Sequence, residues 1–165
     1  VVNVLFVCLG NICRSPMAEA LFRHEVKRAG LEHAIAVDSA GTGDWHIGQP
    51  PHQGTRAILD ERRVSYEGML GRQVRPDDFN EFTYIVCMDR SNEQNVLAWE
   101  GAEARRAQVM RFMTLLPEEQ AEDVPDPYYT GNFDEVYRLI QAGCVRLLDK
   151  IVREQGLDQG RSTQK

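Results

Sequence analysis

The chain has 165 residues, 42% hydrophobic and 27% charged, which fits one soluble globular domain large enough to build its own core. A formal net charge of -6 argues against nucleic acid or an anionic membrane as the main partner, while leaving room for a local anion site. No apolar run approaches the ~20 residues that span a bilayer, and the first residues lack the basic start of a secretory signal. Cys8, Cys13, Cys87 and Cys144 therefore read as reduced thiols of a cytoplasmic protein without membrane insertion, not as a disulfide scaffold.

In chain order, residues 2–7 form a near-continuous apolar run with β-branched members, the pattern of a strand buried on both faces. Ser15-Pro16 then reads as a helix start, with serine as cap and proline just inside. Ala18, Leu21, Phe22, Val26 and Ala29 follow at helical spacing, and Gly30 closes the helix. A second strand is expected over 34–38, followed by the glycine-rich SAGTGDWHIGQPP and a helix over 53–63. A third strand is expected over 84–88 and a helix over 91–99. Residues 109–116 are mixed in character and are the place for a fourth strand. The last helix carries one apolar stripe, Phe133, Val136, Tyr137, Ile140, Cys144, Leu147, Leu148 and Ile151, and Asn132 with Glu135 looks like a capping box. The domain is expected over 1–156, with 157–165 a polar, loose tail.

Strands alternating with helices imply an α/β domain with a parallel sheet, whose ligands bind at the carboxyl ends of the strands. Cys8, the SAGTGDW loop and Cys87-Met88-Asp89 all follow strand candidates and should share that edge. The connection over 117–132 is longer than compact domains usually tolerate without a purpose, and it contains VPDPYYTGN.

The chemistry concentrates between Cys8 and Arg14. The intervening LGNIC closes onto a helix start, where backbone N–H groups and the helix dipole can cradle an anion. Arg14 offers a permanently charged fork suited to two oxygens of a phosphate. No lysine follows a glycine, so this is not a nucleotide-binding loop of the G-x-x-x-x-G-K-[ST] kind. A thiol in such a bowl should ionise more readily and serve as nucleophile, and Ser15 can donate a hydrogen bond to the sulfur. Gly10 and Asn11 are residue types that tolerate the left-handed backbone of a tight cradle. A cysteine at a strand end is often only a small core residue, but the run of strand, cysteine, Gly-Asn, arginine, serine and helix favours the functional reading.

A thiolate attacking a phosphate ester needs an acid for the departing oxygen. Asp126, between two prolines, is the candidate, set against the alternative of a solvated acidic loop that also holds Glu118, Glu119, Glu122 and Asp123. Tyr128, Tyr129 and Trp45 can wall an aromatic substrate, although Trp45 also suits a core. Cys13 is either a packing residue or a partner for Cys8. Cys87 and Cys144 read as packing. A zinc site built from Cys8, Cys13 and the histidines lacks any tight paired spacing, so neither metal nor other cofactor is expected.

CLGNICRSPMAEA, DSAGTGDWHIGQPP, YIVCMDRSN and DPYY together resemble the low-molecular-weight protein tyrosine phosphatases, over nearly the whole chain. The resemblance implies a flavodoxin-like, four-stranded parallel sheet with helices on both faces and a metal-free reaction through a phosphocysteine. By motif position, Cys8 would be the nucleophile, Arg14 the phosphate grip, and Asp126 the acid and later the base. Leu9, Gly10, Asn11, Ile12, Cys13 and Ser15 would form the phosphate-binding loop, with Asn11, Ser15 and Ser39 holding its shape. Leu9, Ile12, Trp45, Tyr128 and Tyr129 would line the ring slot, and Cys13 would be able to pair with an oxidised Cys8. Phosphotyrosine proteins and inorganic phosphate or other oxyanions are the implied partners. Met69 stands near where some relatives place a histidine tied into the loop network. Arsenate reductases of this fold need two further cysteines in a mobile segment, which Cys87 and Cys144 are badly placed to supply. Arginine phosphatases of the fold carry threonine where this chain has Ile12. A non-enzymatic phosphotyrosine-binding module would be expected to lack the cysteine or the acid.

Overall fold

The computed structural model describes residues 1–157, so the expected tail lies, beyond residue 157, outside the described residues. Strand β1, Val2–Cys8, pairs in parallel on one side with β2, Ile35–Gly41, and on the other with β3, Tyr84–Cys87, which pairs with β4, Gln108–Arg111. The resulting order is β2-β1-β3-β4. The order reverses direction between β1 and β3, and a parallel sheet opens a crevice at such a point beyond the strand ends. Cys8 ends one of these strands and Cys87 the other.

The continuous apolar run of β1 has its cause in two cores. Val2, Val4, Phe6 and Cys8 face one core and Leu5 and Val7 the other, so both pleat faces are covered and only Asn3, near the start, is half-buried. The first core is closed by three helices: α1, Arg14–Arg28; α2, Gln53–Glu61; and α6, Phe133–Gln155. Phe6 meets Phe22 of α1 edge to face at 5.6 Å. The second core takes Phe79 from α3, Asp78–Glu81, and Val96 from α4, Arg90–Leu97. A short helix α5, Pro127–Thr130, precedes α6. Among the described residues no helix is long and apolar enough to cross a membrane.

Several local expectations change. Helix α1 begins two residues early, with Cys13 rather than Ser15 at the cap position and no side-chain cap, because the Ser15 hydroxyl is turned to the Cys8 sulfur instead. Its other end behaves as expected. Gly30 adopts φ 73°, and the N–H groups of Gly30 and Leu31 return to the carbonyls of Lys27 and Val26. The capping box at α6 is half formed. The Asn132 side chain accepts from the Glu135 N–H at 3.2 Å, but the Glu135 carboxylate binds Arg138 rather than reaching back. The mixed segment 109–116 divides into the end of β4 and a 3₁₀ turn, Phe112–Leu115. The long connection is tied down by the Val124 N–H, which donates to the Met88 carbonyl just past β3.

Candidate active site

Cys8 leaves β1 into a loop that bends back under its own sulfur. The Asn11 N–H donates to Sγ at 3.2 Å, and the Ser15 hydroxyl lies 3.0 Å from it. The bend needs one left-handed residue, and Asn11 supplies it at φ 53°. Gly10, expected to share that role, does not take positive φ; a Cβ there would come within 3.1 Å of the His46 ring, so its smallness admits the imidazole. The N–H groups of Gly10, Ile12, Cys13 and Arg14 donate to no protein group among the described residues, as an anion cradle requires.

Behind the loop lies a buried polar lattice. The Asn11 amide nitrogen donates to Ser15 Oγ at 2.8 Å and to Ser39 Oγ at 3.0 Å, while its oxygen accepts from the Arg72 N–H at 2.9 Å. Asp78, fully buried on α3, takes both Nη atoms of Arg72 at 3.1 Å and so anchors that strand of contacts. On the opposite flank the His52 N–H donates to the Ile12 carbonyl at 2.7 Å, and the Thr55 hydroxyl to the Cys13 carbonyl at 3.1 Å. The loop is thus fixed from β2, from the segment after Met69, and from α2.

Arg14, 2% exposed, opens α1. Its Nη1 donates to Asp89 Oδ2 and to the Val124 carbonyl, both at 2.8 Å, and Nη2 contacts Asp126 Oδ2 at 3.4 Å. Nε is buried and has no partner among the described residues, an open donor beside the loop. Burial alone would lower the guanidinium pKa, but the Cys8 sulfur, Asp89 and Asp126 beside it hold it above its ordinary value. Asp126 caps α5, accepting from the Tyr128 N–H at 3.1 Å, which leaves its second oxygen toward Arg14.

A cavity of about 310 Å³ opens over the sulfur. Cys8, Leu9, Gly10, Ile12 and Cys13 form its floor, and Trp45, His46, Asp126, Tyr128 and Tyr129 its sides. Tyr128 and Tyr129 meet edge to face at 5.3 Å, and Tyr128 rests on His52, which itself stacks on Phe133 of α6. Trp45 is 63% exposed, which rules out its core reading. A Cβ at Gly43 would lie 1.9 Å from the Trp45 ring, so only glycine lets the indole fold over that backbone. Arg14, Asn11, Ser15 and Ser39 stand behind the cavity rather than on its surface. Cys13 is 2% exposed, and burial together with the neighbouring Cys8 pushes its thiol up to about 12. Cys87 and Cys144 are fully buried and their thiols are also raised by burial.

The structure thus gathers every residue singled out from the motifs at one strand edge. Sequence reasoning missed Asp89, which holds Arg14, and His46, which lines the cavity. Asp89 stands in the MDRSN stretch already placed at that edge, and its capping position before a helix was the available signal.

The chain matches the family model described as low molecular weight phosphotyrosine protein phosphatase over residues 3–157. It belongs to that family. The protein-tyrosine-phosphatase YfkJ of Bacillus subtilis (strain 168) is 49% identical over 156 residues, covering 94% of this chain and 99% of the relative. The crystal structure of YfkJ superposes with a TM-score of 0.89 over 93% of this chain and 96% of that one. The protein-tyrosine-phosphatase PtpA of Staphylococcus epidermidis is 42% identical over 159 residues, 96% of this chain and 99% of the relative. A drosophila arginine phosphatase is also similar, at 32% identity and a TM-score of 0.79 over 89% of this chain and 96% of that one.

Proposed function

We propose that this protein hydrolyses phosphotyrosine in proteins, and aryl phosphates generally, by a two-step reaction at Cys8. The carrying observation is the convergence of the Asn11 N–H and the Ser15 hydroxyl on a cysteine sulfur at the floor of an aromatic-sided cavity, with Arg14 and Asp126 in contact beside it. The phosphoryl oxygens are received by the loop N–H groups and the Arg14 guanidinium, whose unpartnered Nε offers a donor ready for them. Cys8 attacks phosphorus, the bond to the tyrosine oxygen breaks, and protonated Asp126 gives its proton to that oxygen. Asp126, now a carboxylate, takes a proton from water as the water attacks phosphorus. The sulfur–phosphorus bond then breaks, the Cys8 thiolate is regenerated, and inorganic phosphate leaves. Asn11, Ser15 and Ser39 hold the loop in register for both steps. No step calls on a metal or other cofactor.

Substrate choice follows from the walls. Trp45, Tyr128, Tyr129 and Ile12 offer flat apolar faces to a ring, whereas a phosphoserine side chain is too short to bring its phosphorus to a sulfur on the cavity floor. Ile12 on that floor favours a phenyl ring over the guanidinium of phosphoarginine. Arsenate reduction is disfavoured because Cys87 and Cys144 are fully buried, one on β3 and one on α6, and neither lines the cavity. The four free thiols suit a reducing, cytoplasmic setting. The test compares kcat/KM on phosphotyrosine, phosphoserine and phosphoarginine peptides, and on arsenate with a thiol reductant, all under chelator. Preference for phosphotyrosine supports the reading, and equal rates on phosphotyrosine and phosphoserine refute the ring slot.

A further inference from the structure

Glu19 on α1 has no place in the reaction above, yet its carboxyl is turned inward, 7% exposed, while its ion-pair partner Arg23 is 46% exposed. A helix-surface pair formed only for helix stability would leave both heads in water. Here Glu19 Oε1 accepts from the Ser39 hydroxyl at 2.6 Å, and its other oxygen takes Arg23, which is itself pinned to the Val37 carbonyl at 2.9 Å. Met69 lies with Ser39 and Asn11 along one small cleft and brings no strong donor or acceptor to compete for that hydroxyl.

The consequence is a fixed direction of hydrogen bonding. A serine hydroxyl carries one proton, and a carboxylate only accepts. Ser39 gives its proton to Glu19, so its oxygen must accept from the Asn11 amide nitrogen. With Asn11 presenting nitrogen on that side and its oxygen to the Arg72 N–H, Ser15 Oγ also accepts from Asn11. The proton of Ser15 is then left to point at the Cys8 sulfur, 3.0 Å away. We infer that Glu19 is a positioning residue for Cys8, acting at the far end of the chain Glu19–Ser39–Asn11–Ser15–Cys8 to hold a hydroxyl proton on the sulfur. That proton stabilises negative charge on sulfur both when the thiolate waits to attack and when it departs from phosphorus. The inference rests on the proposal that Cys8 is the nucleophile.

The experiment uses Glu19→Leu, which removes the acceptor at similar length; Glu19→Gln, which keeps an acceptor oxygen; Ser39→Ala; and the Glu19→Leu/Ser39→Ala double variant. Two readouts are taken: steady-state and burst kinetics with p-nitrophenyl phosphate, and the rate of Cys8 alkylation by iodoacetate as a function of pH. Glu19→Leu and Ser39→Ala should each lower kcat by about tenfold, the size of one lost hydrogen bond. KM should stay near parental, a nitrophenol burst should appear because departure of sulfur slows, and half-maximal alkylation should move to higher pH. Glu19→Gln should recover most of the loss. The double variant should be no worse than either single, because both cut one chain. Parental alkylation profiles in Glu19→Leu, or losses that multiply in the double variant, overturn the inference. Should Glu19→Leu fail to fold, a parental alkylation profile in Ser39→Ala overturns it equally. The alkylation arm needs no turnover, so a parent inactive on aryl phosphate would fail the proposed function while leaving the Glu19 link readable.

Discussion

Asp89 separates structure from function most cleanly, because one carboxylate does two jobs with two oxygens. Oδ2 accepts from Arg14 Nη1 at 2.8 Å, and Oδ1 caps α4 by accepting from the Asn92 N–H at 2.7 Å. Asp89→Ala removes both. Loss of the cap costs about 1 kcal/mol, and loss of a hydrogen bond to a charged group about 1.5–3 kcal/mol. A domain of this size loses about 2–4 °C in Tm per kcal/mol, so Asp89→Ala should melt about 5–16 °C below the parent. Asp89→Asn keeps the cap and a neutral acceptor and should lose only about 2–4 °C. The functional effect has a separate cause. The Arg14 side chain is 3% exposed, and without Asp89 its charge has only the Val124 carbonyl and the looser 3.4 Å contact to Asp126. The guanidinium should then turn toward Asp126, misplacing the proposed phosphate grip and tying up the proposed acid at once. Misplacement of about 1 Å costs up to ~10²-fold, so kcat/KM on aryl phosphate should fall by about that factor in Asp89→Ala and less in Asp89→Asn. Thermal melts and inhibition by inorganic phosphate read the two effects independently. If Asp89→Ala keeps parental phosphate affinity, Val124 alone positions Arg14 and the reasoning fails.

Other outcomes follow from the same geometry. Asp126→Asn should lose about 10²–10⁴-fold on phenyl phosphate but far less on esters with acidic leaving groups; equal losses across leaving groups would place the acid elsewhere. Peroxide should convert the Cys8 sulfur to a sulfenic acid that condenses with the Cys13 thiol, releasing water and forming a Cys8–Cys13 disulfide that reductant reopens. Cys13→Ser should therefore hydrolyse substrate but recover poorly after oxidation, and full recovery would leave Cys13 a packing residue. Burial raises the Cys13 thiol from 9.0 to about 12 and the Cys87 and Cys144 thiols as well. The unfolded chain releases these protons near pH 9 while the folded chain keeps them, so their contribution is intact below that pH and is lost as pH rises toward 12. Thermal melts from about pH 8 to about pH 11 should show that decline, and a flat profile would contradict it.

What could be read from the sequence was whatever depends on neighbours in the chain. The β1 run, the α6 stripe and the loop from Cys8 to Ser15 are patterns of period and spacing, and each stands where expected. Asp89 and Glu19 escaped because their partners lie 75 and 20 residues away, brought close only by the sheet order and by the face α1 turns to β2. Ser15 shows a local rule overridden. Serine before proline at a helix start fits a cap, but a buried sulfur needing a donor has the stronger claim on its hydroxyl. His46 was missed because a loop has no period to say which side chain faces the cavity beside Trp45.

The central claim is that phosphate passes through the Cys8 sulfur, and rapid-quench mass spectrometry during turnover of an aryl phosphate tests it most directly. The account predicts a phosphoryl adduct on the peptide containing Cys8 that forms and decays at rates compatible with kcat. It also predicts that Cys8→Ser neither turns over nor forms the adduct while still binding inorganic phosphate through the loop and Arg14. Substantial turnover by Cys8→Ser, or an adduct on any other residue that forms and decays with turnover, would contradict it.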